Sequence, residues 1–151
     1  VLYPRTFVQK LIDAPSASTI TAYRAHRVVL DDEGIAPYKK WKPVRSAEPS
    51  ILHFATGVDG VRYPKEMVRY VAERGTEFLD LAPRADDVWL NHCALRAGFP
   101  VQQVEERSAN FPLVPGSQRV RLSRVNLSGG NDVQIAATYS AEDVAKLRAT
   151  E

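Results

Sequence analysis

Apolar residues recur along this chain in two styles, and each predicts its own kind of element. The clearest helical stretch is 86–97, where Trp89, Leu90, Cys93, Ala94 and Ala97 recur at i, i+1, i+4, i+5 and i+8, the spacing of one buried helix face. Pro83 precedes it, Asp86 and Asp87 sit in its first turn and Gly98 follows its end, the start and stop signals of a helix. Residues 4–13 predict a shorter amphipathic helix with Phe7, Val8, Leu11 and Ile12 on one face and Pro4 in the first turn. Ser140 followed by Asp143 predicts a capping box that opens a last helix over 141–149. Residues 65–74 predict a helix that Gly75 breaks, and Glu77–Leu81 a helical turn.

Runs rich in β-branched, aromatic and aliphatic residues predict strands at 19–30, 51–56 and 101–105, with a further strand-like run at 120–125 before a loop at 128–130. Asp31-Asp32-Glu33-Gly34 closes the first as a turn, and 37–49 reads as an ordered loop carrying Trp41 and four basic residues. No internal repeat is visible. Short strands alternating with helices predict an α/β fold: a small mixed, partly antiparallel sheet flanked by two to four helices.

Composition narrows the class. The chain has 151 residues, 44% hydrophobic and 25% charged, the balance of one ordinary globular domain over 1–151 and not of a disordered or fibrous chain. A domain this long buries about 70% of its unfolded surface. A single cysteine excludes a disulfide framework and any multi-cysteine metal site, and makes the cytoplasm the expected location. A net charge of +2 points to neither a nucleic-acid nor a polybasic membrane binder. No apolar run approaches the ~18 residues of a membrane helix. Val1-Leu2-Tyr3-Pro4, strand-like and without an initiator Met, reads as the middle of a longer chain, so the sequence is expected to be a piece.

Three features carry candidate chemistry, each beside a plainer reading. Asp86 and Asp87 are adjacent carboxylates at a helix start: each raises the other's proton affinity while the helix dipole lowers it. A carboxylate fixed there can take a proton from a hydroxyl, or the pair is only a cap and a dipole partner. Gly57-Val58-Asp59-Gly60 is either a loop that brings backbone N–H groups to a polar ligand or a simple turn. Lys39, Lys40, Lys42 and Arg45 beside Tyr38 and Trp41 meet phosphate or sugar, or face water. His26, His53 and His92 lack metal-ligand spacing and read as packed or surface residues. Cys93, on the Trp89 face, reads as a small core residue. Hydrolase triad signatures and a Walker-type loop are absent.

The order of several pieces carries more than any one of them. Val-Leu-Tyr-Pro is followed by Tyr23-Arg24-Ala25-His26-Arg27, Pro37-Tyr38-Lys39-Lys40-Trp41, Phe54-Ala55-Thr56-Gly57-Val58-Asp59-Gly60-Val61-Arg62-Tyr63-Pro64, Leu81-Ala82-Pro83-Arg84-Ala85-Asp86-Asp87-Val88-Trp89 and Asn131-Asp132-Val133-Gln134. This order resembles a family of bacterial glycosyltransferases with a GT-A fold, of the capsular and cell-surface polysaccharide type. The resemblance runs over nearly the whole chain and is most specific at Gly-Val-Asp-Gly-Val-Arg-Tyr-Pro and Ala-Asp-Asp-Val-Trp.

The resemblance implies the acceptor-side, C-terminal half of a GT-A (Rossmann-like) domain, beginning just after the Asp-rich metal motif. It implies a nucleotide-sugar donor, a glycan hydroxyl acceptor and a divalent metal, Mn or Mg, whose ligands are not in this chain. Asp87 is then the candidate general base, with Asp86 orienting or capping. Gly57 and Gly60 bring backbone close to a ligand, Asp59 hydrogen-bonds a sugar hydroxyl, and Arg62 and His26 meet diphosphate or hydroxyl groups. Trp89 either packs beneath the site or stacks on a sugar. Two other readings use the same residues: a non-catalytic carbohydrate-binding or truncated pseudoenzyme module, and a small stand-alone domain whose acidic first turn is only a cap.

Overall fold

The computed structural model describes residues 1–13, 18–115 and 130–151. These form a mixed α/β fold of small sheets and six α-helices among the described residues, two more than the upper expectation. The strand-like run at 120–125 and residues 128 and 129 of the expected loop lie outside the described residues.

Two three-stranded sheets carry the architecture. In the first, β1 (Ile20–Ala22) lies between β7 (Val61–Arg62), antiparallel to it, and β8 (Val101–Gln103), parallel to it. In the second, β2 (Ala25–Arg27) lies between β5 (Lys42–Pro43) and β6 (His53–Ala55), both antiparallel. The expected strand at 19–30 is therefore not one strand. It changes sheets at Tyr23–Arg24, where the Tyr23 N–H goes to the Gly60 carbonyl and the Arg24 carbonyl accepts from the Thr56 N–H. It ends in a hairpin of β3 (Leu30–Asp31) and β4 (Gly34–Ile35), with the expected Asp-Asp-Glu-Gly stretch as its turn. Gln103, fully buried, joins the two sheets: its Oε1 accepts from the Ala25 N–H at 3.0 Å and its Nε2 donates to the Val44 carbonyl at 3.2 Å.

The helices cover these sheets. They are α1 (Phe7–Ile12), α2 (Lys65–Glu73), α3 (Phe78–Leu81), α4 (Asp86–Ala97), α5 (Asn131–Thr138) and α6 (Ala141–Arg148). The start and stop signals of α4 place it where the sequence predicts, with Gly98 left-handed at its end. α6 carries the expected capping box: Ser140 accepts from the Asp143 N–H, and the Asp143 carboxylate accepts from the Ser140 N–H at 2.8 Å. α1 is shorter than 4–13 and buries only Leu11, while Val8 and Ile12 are 60% and 58% exposed. Half of its expected apolar face, Val8 and Ile12, is thus in water, while Leu11 is buried and Phe7 packs on Tyr23. The expected loop at 37–49 contains β5 and a 3₁₀ turn at Tyr38–Lys40.

α4 is the central helix. It buries Val88, Trp89, Asn91, His92, Cys93, Ala94 and Leu95, packing on β6, α2 and α5. Trp41, Phe54, Ile20, Leu52, Met67 and Val101 complete the core around it. No helix among the described residues is long and apolar enough to cross a membrane.

Candidate functional site

The first turn of α4 points at the end of β6. There Thr56 leaves the strand in extended conformation and Gly57–Asp59 forms a 3₁₀ turn. The Gly57 N–H donates to the Asp87 Oδ1 at 2.9 Å. A Cβ on Gly57 would stand 3.0 Å from that same oxygen, so the absence of a side chain permits the contact. Asp86 and Asp87 thus take different environments. Asp86 is exposed, whereas Asp87 is half-buried. Burial pushes the Asp87 carboxyl up to about 6, with the Gly57 N–H opposing and the Asp86 charge adding to the rise.

Asn91, one helical turn on, locks this arrangement from beneath. Its Nδ2 donates to the Ala55 carbonyl at 2.9 Å and to the Asp87 main-chain carbonyl at 2.8 Å, and its Oδ1 accepts from the Ala55 N–H at 2.9 Å. The sequence does not mark Asn91, because a polar residue on an apolar helix face carries no visible signal until its partners are known.

Tyr38 and Tyr63 stand within the field of the carboxylate, and His26 joins them through Tyr38. Burial and then the Asp87 charge hold the Tyr38 and Tyr63 hydroxyls above the ordinary tyrosine value. The Tyr38 hydroxyl and His26 Nδ1 are 3.1 Å apart. Burial and the Arg24 guanidinium lower the His26 pKa, so the ring is neutral near pH 7. Tyr38 is placed from α5: the Asp132 Oδ1 accepts the Tyr38 N–H at 2.7 Å. Gln134 of the same helix accepts the Arg84 N–H at 2.8 Å, just before α4. The late Asn-Asp-Val-Gln piece therefore supports the two pieces that bear Tyr38 and Asp87.

Other expected residues take different places. Asp59 is buried and its Oδ2 lies 3.9 Å from Arg24 Nη1, so its carboxylate faces a protein cation. Gly60, at φ +98°, meets the Phe7 ring, which a Cβ would approach to 2.4 Å; its close approach is to the protein's own aromatic cluster. Arg62 donates to the Thr19 carbonyl at 3.2 Å. Trp89 is 4% exposed and lines an apolar groove of about 820 Å³ together with Phe78, Leu90, Val71, Arg84 and Asp86. His53 and His92 are buried: His53 Nδ1 is 3.1 Å from the Val101 carbonyl, and His92 Nε2 is 3.3 Å from Asp143. Cys93 is in the core, where burial pushes its thiol up to about 11.

The Tyr38–Trp41 piece touches the site through Tyr38. Trp41 instead packs between Tyr38 and Phe54, with its indole N–H on the Ala36 carbonyl at 2.8 Å. Among the described residues no group of three or more His, Cys, Asp or Glu is disposed to hold a metal ion.

The cluster is suited to one piece of chemistry. A carboxylate near its neutral point, fixed on one oxygen by a backbone N–H, keeps its other oxygen for a ligand hydroxyl. A tyrosine hydroxyl and a neutral imidazole supply further donors and acceptors beside it. Comparison with protein-family models, with curated proteins and with solved structures finds no match to this chain.

Proposed function

We propose that this chain is part of a glycosyltransferase that transfers a sugar from a nucleotide-sugar donor to a glycan hydroxyl in surface polysaccharide synthesis. On this reading the fold is the acceptor-side half of a GT-A domain, working in the cytoplasm. The observation that carries it is the Asp87 carboxylate: half-buried, held by the Gly57 N–H at 2.9 Å and pushed up to about 6. A general base works best when its pKa lies close to the working pH. In the transfer, the acceptor oxygen bonds to the anomeric carbon as the bond from that carbon to the diphosphate breaks, and the hydroxyl proton passes to Asp87. Tyr38 and His26 orient the acceptor by hydrogen bonds.

The test is transfer by the protein at its full encoded length. Wild type and Asp87→Asn are incubated with nucleotide-sugar donors, Mn²⁺ or Mg²⁺ and glycan acceptors, and released nucleotide is measured. Loss of a general base costs about 10²–10⁴ in rate, and that loss is expected for Asp87→Asn. Equal transfer by the two proteins refutes the assignment. Glycan binding by both proteins with no transfer by either supports the carbohydrate-binding module instead.

A further inference from the structure

We propose that Asn91 is a positioning residue: its side-chain amide sets the separation of Asp87 from the Gly57 turn and so aims the carboxylate. This rests on the reading of Asp87 as the site's proton acceptor. A carboxamide in the middle of a buried helix face is unfavourable unless its donors and acceptor are met. Here they are met by the two sides of the site. Both ends of the amide meet Ala55: Oδ1 accepts its N–H at 2.9 Å and Nδ2 donates to its C=O at 2.9 Å. The other bond, at 2.8 Å, goes to the main-chain carbonyl of Asp87 itself.

The Ala55 groups need this partner. Ala55 faces Ala25 as a non-hydrogen-bonded pair of the antiparallel ladder, between the bonded positions at Thr56–Arg24 and Leu52–Val28, so its N–H and C=O point to the open edge of β6, where Asn91 meets them. The strand end is thus held on one edge by the sheet, through the Thr56 N–H on the Arg24 carbonyl, and on the other by α4. Two residues later the chain delivers the Gly57 N–H to Asp87. A two-point match to one residue's backbone fixes angle as well as distance. Asn91 therefore transmits the position of β6 to the first turn of α4, and the Gly57–Asp87 contact is the result.

The experiment follows the Gly57 amide proton of the isotope-labelled chain by NMR from pH 4 to 8. In wild type it is expected to titrate with the Asp87 carboxyl, with a midpoint near 6. In Asn91→Ala the amplitude of that titration is expected to fall several-fold. Cys93→Ala, a cavity on the same helix with no link to the carboxylate, keeps it. Asn91→Ser is the milder variant if Asn91→Ala does not fold. A wild-type measurement needs no variant: the Asn91 side-chain amide protons are expected to shift with the same midpoint as Gly57.

A folded Asn91 variant with the wild-type Gly57 titration overturns the proposal. So do Asn91 amide protons that ignore the Asp87 titration. Sugar transfer is read separately: if wild type transfers nothing while the Gly57 and Asn91 signals move together, the functional reading fails and the positioning role stands.

Discussion

Replacing Asp87 with Asn is expected to stabilise the fold at neutral pH while removing its proposed chemistry. The carboxyl, ordinarily at 3.8, is raised to about 6. The folded chain therefore holds a proton that the unfolded chain has released over that interval. Stability associated with this group is full below pH 3.8, falls as pH rises to about 6 and stays at the lower level above it. About 2 pH units at about 1.4 kcal/mol each makes the deficit about 3 kcal/mol, an upper bound because Asp87 is partly solvated. The substituted carboxamide would still accept the Gly57 N–H through its oxygen, but it never ionises, so the deficit disappears. The assay is urea unfolding of both proteins at half-unit steps from pH 4 to 8. His26, His53 and His92 bias each curve separately: burial lowers their pKa values, so stability falls as pH drops through about 6.5. They are common to both proteins and cancel in the difference. That difference is expected to start near zero at pH 4 and to grow toward about 3 kcal/mol at pH 8. A difference that does not change with pH, or an Asn variant less stable than wild type at pH 8, refutes the burial argument.

Two further substitutions test the frame around the site. Gly60→Ala is expected to lower stability by about 1–3 kcal/mol in the same assay, because it demands φ +98° of a residue with a Cβ and drives that Cβ into Phe7, which stacks on Tyr23; an unchanged unfolding midpoint refutes this. Asp143→Ala is expected to cost about 1–2 kcal/mol at pH 7, since it removes the capping box and takes from Arg96 its nearest carboxylate, 2.5 Å away, leaving it Glu142 at 3.2 Å and the Ser140 hydroxyl. Burial pushes Asp143 up, but the Ser140 N–H, Arg96, the Ser140 hydroxyl and His92 together hold it below the ordinary value. Its contribution is therefore present above pH 4 and lost as pH falls through the lowered folded value, so the two proteins should converge only in strong acid.

What the sequence reveals depends on whether the cue is local. α4 and α6 are marked by residues that act within one turn: the Asp pair and Gly98, and Ser140 with Asp143. α5 is invisible because its pattern is inverted. Val133 is 72% exposed, and the buried face joins Ile135 to Asn131, Gln134 and Thr138, so a search for a run of apolar inner positions finds a single residue there. The run at 19–30 is continuous in propensity, but the chain changes partners at Tyr23–Arg24, a choice made by distant strands. In the site, the acidic pair and the glycine turn are legible singly. Their 2.9 Å contact is not, since thirty residues separate them. Tyr38 stands out in the sequence only as a neighbour of basic residues, and its approach to His26 and Asp87 depends on Asp132 from α5.

The polar residues whose partners the sequence does not reveal share a physical property that accounts for the site. Gln103, Asn91, Asp132 and Gln134 are polar side chains that each join two elements: sheet to sheet, β6 to α4, α5 to the Tyr38 turn and α5 to the start of α4. Apolar packing around Val88 and Phe54 brings these elements together but tolerates small slips, because dispersion contacts have no preferred direction. A hydrogen bond between buried partners weakens steeply once its geometry is lost, and leaving its groups unmet costs about 1–3 kcal/mol. The directional ties therefore fix what packing leaves loose. They converge on a carboxylate whose ionised form is disfavoured by burial, so the unfavourable charge is held in one place when it would otherwise turn outward to water. Relaxing the Asn91 tie should free Asp87 to reach solvent and return its pKa toward that of an ordinary aspartate, a change visible without any knowledge of the ligand.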